Sequence, residues 1–270
     1  MSDDTTSTSD EADYDTGHDI AHKVSFNAQT IPSYLYKYWK QRYQLFSRFD
    51  EGVWLNEEMW YSVTPEAVAR EIASHVYINT NPAVVLDAFG GAGGNAIQFA
   101  MLVDKVILIE KDPITMRCAK HNALVYGVVD KIEFILGDFF DYAPKVEADI
   151  VFLSPPWGGP SYMTSAVFDL QTMKPYNLQS LLKASRMITP HVAVFLPRNS
   201  NLPQLRESAY YEETEESDGV CMVSYLHIRG RCKGLCAYYN ALAVASGQNF
   251  QFVDTVSYES IEASGFADDS

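Results

Sequence analysis

Five short runs of apolar and β-branched residues recur through the middle of the chain, and segments with helical patterning separate them. The runs lack polar alternation, which is typical of strands buried on both faces of a sheet. They are AVVLDAF (83–89), KVILIE (105–110), KIEFILG (131–137), ADIVFLS (148–154) and HVAVFLP (191–197). This alternation predicts an α/β fold with a doubly wound, mostly parallel sheet.

The segments between these runs complete the predicted sheet domain. Helices are predicted at roughly 95–102, 113–126 and 177–187. Two further strand candidates, 220–228 and 232–240, are joined by Arg229-Gly230-Arg231, a connection typical of a hairpin. The sheet is therefore expected to end with an antiparallel pair.

The chain upstream of the first strand predicts helices. In residues 33–49, apolar side chains recur at spacings of four and three, which predicts one amphipathic helix. These side chains are Leu35, Trp39, Tyr43 and Phe46. Thr64-Pro65-Glu66 predicts the start of another helix that runs to about residue 77. Thr64 would be its N-cap and Pro65 its first helical residue.

Composition limits the class of protein. A chain of 270 residues that is 47% hydrophobic can bury the core of one large domain or two small ones. No apolar run approaches the ~18 residues that span a bilayer, and the N-terminal residues lack the pattern of a signal peptide. The four cysteines are therefore predicted to be reduced thiols, and the spacing of Cys232 and Cys236 does not suffice for a zinc site.

The charge distribution argues against a broad nucleic-acid interface. The net charge is −15, whereas a protein that grips long nucleic acid through many phosphates needs a basic face. Seven acidic and no basic residues lie in the first 20, and we expect residues 1–22 to form a disordered acidic tail. Positive charge is clustered in residues 33–49 and 229–233, and residues 247–270 form a second acidic tail. For Lys40 and Arg48 a solvated helix face is the preferred interpretation.

A glycine-rich turn follows the first predicted strand, in Asp87-Ala88-Phe89-Gly90-Gly91-Ala92-Gly93-Gly94-Asn95. In an open α/β sheet this is where nucleotides bind, because glycines allow backbone N–H groups to approach the ligand closely. The carboxylate of Asp87 would repel a pyrophosphate but suits an ammonium group. Glu110 and Asp138 end the second and third strands, where they could meet ribose hydroxyls and an adenine amine. The three acids fit S-adenosyl-L-methionine, although Asp138 alone would more simply be a helix cap.

The fourth predicted strand ends in Ser154-Pro155-Pro156-Trp157. Consecutive prolines offer no N–H, so carbonyls and the Ser154 hydroxyl remain as acceptors for the hydrogens of an amine. Such acceptors can aim a poorly nucleophilic planar amine at a methyl group. Trp157 could offer its face to a flat base, and the alternative is a core tryptophan in a turn.

Several of these segments together closely resemble one family, that of the trimethylguanosine synthases. They are KYWKQRYQLFSRFDEG (37–52), SVTPE (62–66), DAFGGAGGNAIQFA (87–100), SPPWGGPSY (154–162) and FLPRN (195–199). The resemblance implies a class I S-adenosylmethionine-dependent methyltransferase fold over 81–246, with an N-terminal helical extension over 23–80 that covers the active site. It also implies transfer of two methyl groups to N2 of the 7-methylguanosine cap of small nuclear and nucleolar RNAs.

The resemblance also implies roles for individual residues. Ser154, Pro155 and Trp157 would hold the amine and the methylated base. The residues implied to bind S-adenosyl-L-methionine are Phe46, Thr64, Asp87, Phe89, Gly91, Gly93, Asn95, Glu110, Asp138 and Phe139. Those implied to bind the cap, besides Trp157, are Lys37, Tyr162, Arg198, Asn199 and Lys233. No metal is implied.

The sequence departs from the family pattern in two places. Glu110 stands where Asp is expected, and residues 199–219 are more acidic than an RNA path suggests, so we expect RNA to bind mainly through its cap. Small ribonucleoprotein proteins as partners and a nuclear location, in the nucleolus or nuclear bodies or shared with the cytoplasm, rest on the resemblance alone. Two alternatives stay open: another amine methyltransferase, acting on adenine N6 or a protein amide, and a non-catalytic cap-binding scaffold.

Overall fold

The computed structural model describes residues 20–158, 165–209, 220–243 and 257–261. Eight strands form one sheet in the order β3-β2-β1-β4-β5-β7-β6-β8. The strands are β1 (Val84–Asp87), β2 (Lys105–Glu110), β3 (Ile132–Leu136), β4 (Ile150–Leu153), β5 (Val192–Leu196), β6 (Cys221–Ile228), β7 (Arg231–Tyr239) and β8 (Ser257–Ile261). The predicted acidic tail 1–22 falls almost wholly outside the described residues, and β8 lies within the predicted tail 247–270.

The pairing of the strands confirms the predicted fold class. Strands β1 to β5 pair parallel with one another, whereas β7 is antiparallel to β5 and to β6. Strand β8 pairs parallel with β6. The β6–β7 hairpin turns at Arg229-Gly230, and both residues have positive φ, as a two-residue hairpin turn requires.

Helices cover both faces of the sheet. They are α1 (Ala21–Val24), α2 (Tyr36–Trp39), α3 (Arg42–Leu45), α4 (Met59–Ser62), α5 (Glu66–Thr80), α6 (Gly94–Ala100), α7 (Pro113–Tyr126), α8 (Phe139–Tyr142), α9 (Leu178–Arg186) and α10 (Leu202–Ala209). Residues of α5, α6 and α7 pack in one core cluster, together with the chain before α5. Residues of α9 and α10 pack in a second cluster. None of the helices within the described residues is long and apolar enough to cross a bilayer.

Most of the predicted elements are present at or near their predicted bounds. Strand β2 and helix α7 begin and end where the sequence predicts. The prediction that all five parallel strands are buried on both faces is wrong for β3, where Glu133 and Leu136 are exposed. The reason is position, since β3 is the edge strand next to β2.

The prediction of one amphipathic helix over residues 33–49 is wrong. The segment forms a 3-10 turn (Ser33–Leu35), then α2 and α3, and a second 3-10 turn (Phe49–Glu51). Bulky aromatic side chains are poor helix formers, and here tertiary packing fixes the local bends. Trp39 packs edge-on against Phe49 at 5.4 Å, and both rings contact the buried Trp60.

The predicted start of α5 is also wrong by one residue. Pro65, with φ −55° and ψ 139°, is the N-cap, and its carbonyl accepts from Val68 and Ala69. The Thr64 hydroxyl is turned away from the helix and accepts a hydrogen bond from Asn95 Nδ2 at 3.0 Å. The helix extends to Thr80, three residues past the predicted end.

Candidate active site

The carboxyl ends of the parallel strands bring the predicted acids and the Ser154 segment to one edge of the sheet. Strands β1 and β4 are neighbours, and Ala88 N–H donates to the Phe152 carbonyl at 3.0 Å. Strands β2 and β3 are also paired, and Gly137 N–H donates to the Glu110 carbonyl at 3.0 Å. The edge is where open α/β sheets bind ligands.

The glycine-rich turn after β1 is a compact loop that ends at the start of α6. Gly90 N–H donates to Ile109 O and Gly93 N–H to Gly90 O, both at 2.9 Å. Gly91 and Gly93 have φ of 52° and 86°, a conformation that favours glycine. The loop is therefore closed by its own backbone hydrogen bonds and favours glycine at these two positions.

Asp87 at the end of β1 is fully buried, and neither of its carboxylate oxygens makes a hydrogen bond of normal geometry with a described residue. Burial raises the pKa of Asp87 to about 7, although the nearby backbone N–H groups of Phe89 and Ala96 lower it, and the Glu110 charge raises it. A buried carboxylate without a partner is costly unless a ligand supplies donors. The side chain thus fits a ligand group with several N–H donors, such as the ammonium of S-adenosyl-L-methionine.

Asn95 extends the same set of acceptors. It lies in the first turn of α6, is buried, and its Oδ1 has no partner among the described residues. Its Nδ2 is held by Thr64, and the Phe46 ring lies near the start of α6, 3.8 Å from where a Cβ on Gly94 would be. Phe46 and Thr64, from the chain before α5, therefore both lie against the glycine-rich turn.

Glu110 at the end of β2 is held by backbone donors. Its Oε2 accepts from Gly91 N–H at 3.0 Å and its Oε1 from Asp112 N–H at 2.8 Å. Burial raises its pKa, which these N–H groups partly offset. Each oxygen keeps a lone pair, so the carboxylate can still accept hydrogen bonds from a ligand's hydroxyl groups.

Asp138 after β3 is the N-cap of α8, as the simpler interpretation of the sequence has it. Its Oδ1 accepts from Phe140 N–H at 3.0 Å, and its Oδ2 accepts from the hydroxyl of Tyr176. Burial raises the pKa of Tyr176 to about 12, with the Asp138 hydrogen bond as the next cause, so the phenol stays protonated. The centroid of the Phe89 ring lies 5.9 Å from the ring centroids of both Phe139 and Tyr176, so aromatic side chains lie next to Asp138.

Asn122 joins the chain before α5 to the glycine-rich turn. It lies on α7 with no exposed surface, and its Oδ1 accepts from Trp54 N–H at 2.8 Å. Its Nδ2 donates to the carbonyls of Trp54 and Ala92, each at 2.9 Å. One side chain thus satisfies three backbone groups in two segments.

We expect Asn122→Ala to lower the free energy of unfolding by about 2–4 kcal/mol, because buried backbone groups would lose their partners. Urea denaturation measures this change. A matched control is Asn177→Ala, which removes only the N-cap bond to Ser180 N–H at 2.8 Å and is expected to cost about 1 kcal/mol. Equal losses in the two variants would contradict the bridging role of Asn122.

Trp157 lies on a platform made by two other strands. Its indole N–H donates to the Phe195 carbonyl at 3.3 Å, and its ring is tilted on the Phe195 ring at 5.3 Å. The Phe195 ring in turn packs on Gly234 of β7. A Cβ at this position would lie 2.6 Å from the ring, so only glycine leaves room for it. Trp157 is half-buried, Ser154 is half-buried and Pro155 is buried. The platform fixes the indole at the edge where β4 and β5 end.

Two of the basic residues predicted to meet the cap lie at the edge of the sheet where β5 ends. Arg198 lies just after β5 and Lys233 lies near the start of β7, and these antiparallel strands pair up to Leu196 and Leu235. Arg198 is exposed, and its charge lowers the pKa of Cys232 against the effect of burial. Burial lowers the pKa of the half-buried Lys233, and the Arg231 charge adds to this.

The remaining predicted cap residues are dispersed. Asn199 donates from Nδ2 to the Ser165 carbonyl at 2.8 Å, so it supports the loop after β4. Lys37 is exposed on α2, in the chain before α5. Tyr162 lies outside the described residues.

The cysteines and the potential metal ligands form no additional site in the described residues. Cys118, Cys221 and Cys236 are buried and Cys232 is partly buried, all as free thiols. In residues 20–158, 165–209, 220–243 and 257–261, no group of three His, Cys, Asp or Glu side chains could hold a metal ion.

Four site residues were not predicted from the sequence: Asn122, Tyr176, Phe195 and Gly234. Asn122 had a signal, since it is a polar residue on the stripe that α7 buries, with Thr115, Ala119 and Tyr126. The other three had none, because their roles depend on which strands become neighbours.

Comparison with known proteins points to one family. The sequence profile of a family described as RNA cap guanine-N2 methyltransferase matches residues 82–242. The trimethylguanosine synthase of Schizosaccharomyces pombe is 43% identical over 216 residues, which are 78% of this chain and 87% of that protein. The trimethylguanosine synthase of Saccharomyces cerevisiae is 37% identical over 223 residues, or 80% of this chain and 70% of that protein.

A solved structure supports the fold. The crystal structure of a candidate methyltransferase from Porphyromonas gingivalis W83 aligns with a TM-score of 0.57 at 14% identity, covering 81% of this chain and 53% of that one. At this identity the likeness concerns the fold alone. The profile match and the two relatives show more: the chain belongs to the RNA cap guanine-N2 methyltransferase family.

Proposed function

We propose that this protein transfers methyl groups from S-adenosyl-L-methionine to N2 of the 7-methylguanosine cap of small nuclear and nucleolar RNAs, giving the 2,2,7-trimethylguanosine cap. The observation that carries the proposal is the pairing of β1 with β4. It sets the buried, unpartnered carboxylate of Asp87 beside the Ser154-Pro155-Pro156-Trp157 segment. A donor site and an amine-acceptor site are thus adjacent.

The donor side is formed by Asp87, Asn95 and Glu110. Asp87 and Asn95 offer buried acceptors to the ammonium group of the cofactor, and Glu110 offers a carboxylate to its ribose hydroxyls. S-adenosyl-L-methionine supplies an electrophilic methyl group when bound. Phe46 and Thr64 lie against the same turn and exclude water from one side of it.

The acceptor side suits an exocyclic amine. Pro155 and Pro156 have no N–H, so the Ser154 hydroxyl and the Pro155 carbonyl can accept the two hydrogens of N2. These acceptors orient the nitrogen and stabilise the positive charge that develops on it as the new bond forms. No strong general base is needed if the proton leaves after transfer.

Trp157 accounts for the choice of a methylated cap. A 7-methylguanine base is a flat cation, and indole is the most favourable aromatic face for a cation. Methylation at N7 also makes the purine more acidic, which eases loss of the N2 proton. Arg198, just after β5, and Lys233, near the start of β7, are well placed for the cap phosphates.

The proposal extends to the RNA substrates and to the location of the protein in the cell. We propose a nuclear site of action, in the nucleolus or nuclear bodies or shared with the cytoplasm, with small ribonucleoproteins as carriers of the capped RNA, on the family resemblance of the sequence alone. Fluorescence of the tagged protein in cells tests the location. Exclusion from the nucleus would contradict it.

The test of the activity compares 7-methyl-GTP with GTP as methyl acceptors, with mass analysis of the products. We expect two added methyl groups on 7-methyl-GTP and none on GTP. Transfer to neither substrate, with S-adenosyl-L-methionine still bound, would favour another amine acceptor such as adenine N6 or a protein amide. Absence of cofactor binding would favour a non-catalytic scaffold that binds caps.

A further inference from the structure

Exposed tyrosines are concentrated on the chain before α5. Among the described residues, the aromatic side chains that are exposed by more than a third are Tyr34 (59%), Tyr36 (46%), Tyr43 (44%), Tyr61 (48%) and Tyr77 (36%). All but the last lie between residues 34 and 61. Single exposed aromatic side chains are ordinary, but a cluster of them on one segment indicates a surface that binds a ligand or a macromolecule.

Two lysines lie over tyrosine rings of the same segment. Lys37 Nζ is 4.7 Å from the centroid of the Tyr38 ring, and Lys40 Nζ is 5.1 Å from that of the Tyr36 ring. Neither ammonium makes a salt bridge with a residue in the described part of the chain. Residues 33–49 contain no acid. Each charge is therefore available to an anion while an aromatic ring lies next to it.

One tyrosine of this cluster, Tyr61, lies on the outer side of α4, the helix next to the glycine-rich turn. Met59 of α4 points inward, since its Sδ would be 3.3 Å from a Cβ on Gly91. Tyr61, two residues later on the same helix, is exposed, and its ring lies 6.2 Å from that of Tyr38. Helix α4 thus lies between the glycine-rich turn, which Met59 contacts, and the Tyr38 ring under Lys37, which Tyr61 contacts.

We propose that Tyr36, Lys37, Tyr38, Lys40 and Tyr61, here called the tyrosine–lysine surface, bind the first unpaired nucleotides of the RNA after the cap. The proposal rests on the proposed function. Single-stranded RNA is held by aromatic rings that stack on bases and by cations that meet the backbone, without need of sequence. The tyrosine–lysine surface offers both in alternation.

Acidic neighbours limit the extent of this surface. The Tyr34 hydroxyl donates to Glu57, and the charges of Glu58 and Glu57 contribute to raising the pKa of Tyr61 after burial. Arg42 lies over the Tyr43 ring and bonds to its hydroxyl, which donates to Asp50. The RNA backbone is therefore expected on the side of Lys37 and Lys40, and only one or two nucleotides fit between these boundaries.

The test compares two substrates, 7-methyl-GTP and a capped, unstructured RNA of about ten nucleotides, in steady-state methyl transfer. The wild-type protein is expected to show a KM about tenfold lower for the capped RNA, as one stacked base would provide. The double variant Tyr36→Ala/Lys40→Ala is expected to remove this advantage and to change the KM for 7-methyl-GTP less than twofold. Tyr77→Ala/Lys120→Ala, an exposed pair on α5 and α7, is the matched control and should change neither KM.

The outcomes separate this inference from the proposed function. Absence of transfer from the wild type to either substrate would overturn the proposed function. Equal KM values for the two substrates, or an advantage that survives in Tyr36→Ala/Lys40→Ala, would overturn the tyrosine–lysine surface alone. The same RNA paired with a complement from its first nucleotide should lose the advantage, because its bases are no longer free to stack.

Discussion

Asp87→Asn is expected to weaken binding of S-adenosyl-L-methionine by about 100-fold or more, since a buried charged hydrogen bond to an ammonium group is worth about 3 kcal/mol. The amide matches the shape of the carboxylate, so the loss would report charge and not packing. Isothermal titration calorimetry measures the affinity directly. Asp149→Asn is the matched control, because Asp149 binds the N–H groups of Ala83 and Val84 at the opposite end of β1.

The raised pKa of Asp87 gives this prediction a dependence on pH. Its pKa in the folded protein is about 7, above the value of 3.8 for a free aspartate, so the side chain is protonated below pH 7. Affinity for the ammonium-bearing cofactor should therefore increase as pH rises through about 7. Asp87→Asn should abolish this part of the pH dependence, and an unchanged profile in the variant would contradict the assignment.

The stability of the protein without cofactor should show the opposite trend. A carboxyl whose pKa is raised on folding stabilises the folded state fully below its unfolded pKa, and this stabilisation is lost as pH rises through the folded pKa. Between pH 4 and pH 7, ionisation of Asp87 should lower the free energy of unfolding by on the order of 2–4 kcal/mol. Asp87→Asn should be more stable than the wild type at pH 7, which thermal denaturation can show.

Trp157→Ala is expected to reduce turnover of 7-methyl-GTP by about 100-fold or more, because it removes both the cation–π contact and the placement of the base. Binding of S-adenosyl-L-methionine should change less than twofold, since Trp157 packs on Phe195, on the acceptor side of the site. Methyl-transfer kinetics and calorimetry together measure the two effects. Equal loss of turnover and cofactor binding would contradict a role in holding the base.

Trp157→Phe separates stacking from packing. The smaller ring can still lie on Phe195 but gives a weaker face to a cation, so we expect a loss of about tenfold in kcat/KM for 7-methyl-GTP. The preference for 7-methyl-GTP over GTP should fall in parallel. A variant that loses activity but keeps the full preference would indicate that Trp157 matters only for packing.

The sheet and its site edge could be predicted because local patterns determine them. Strand β2 has four buried apolar residues between Lys105 and Glu110, and its charged ends define its limits. Helix α7 is preceded by its N-cap Asp112, whose side chain accepts from Thr115 N–H, and is followed by its C-cap Gly127 with φ 71°. The acids at the ends of β1, β2 and β3 followed directly from these limits.

The chain before α5 was harder to predict because its conformation depends on distant partners. Ser47, which follows α3, bonds to Glu66 through its N–H at 2.6 Å and its hydroxyl at 2.7 Å. Tyr126, at the end of α7, donates to the same carboxylate at 2.6 Å. Thr64 likewise leaves its predicted capping position for Asn95. None of these pairs is near in sequence, so no local pattern could reveal them.

The place of β7 in the sheet sets the order in which the two halves of the site can form during synthesis. The residues on the donor side, through Glu110, and Trp157 itself leave the ribosome well before residue 231. Yet Phe195, beneath Trp157, packs on Gly234, and β6 borders β5 only through β7. A nascent chain can therefore assemble its cofactor half early, whereas its cap half is completed only when β7, one of the last strands, pairs with β5.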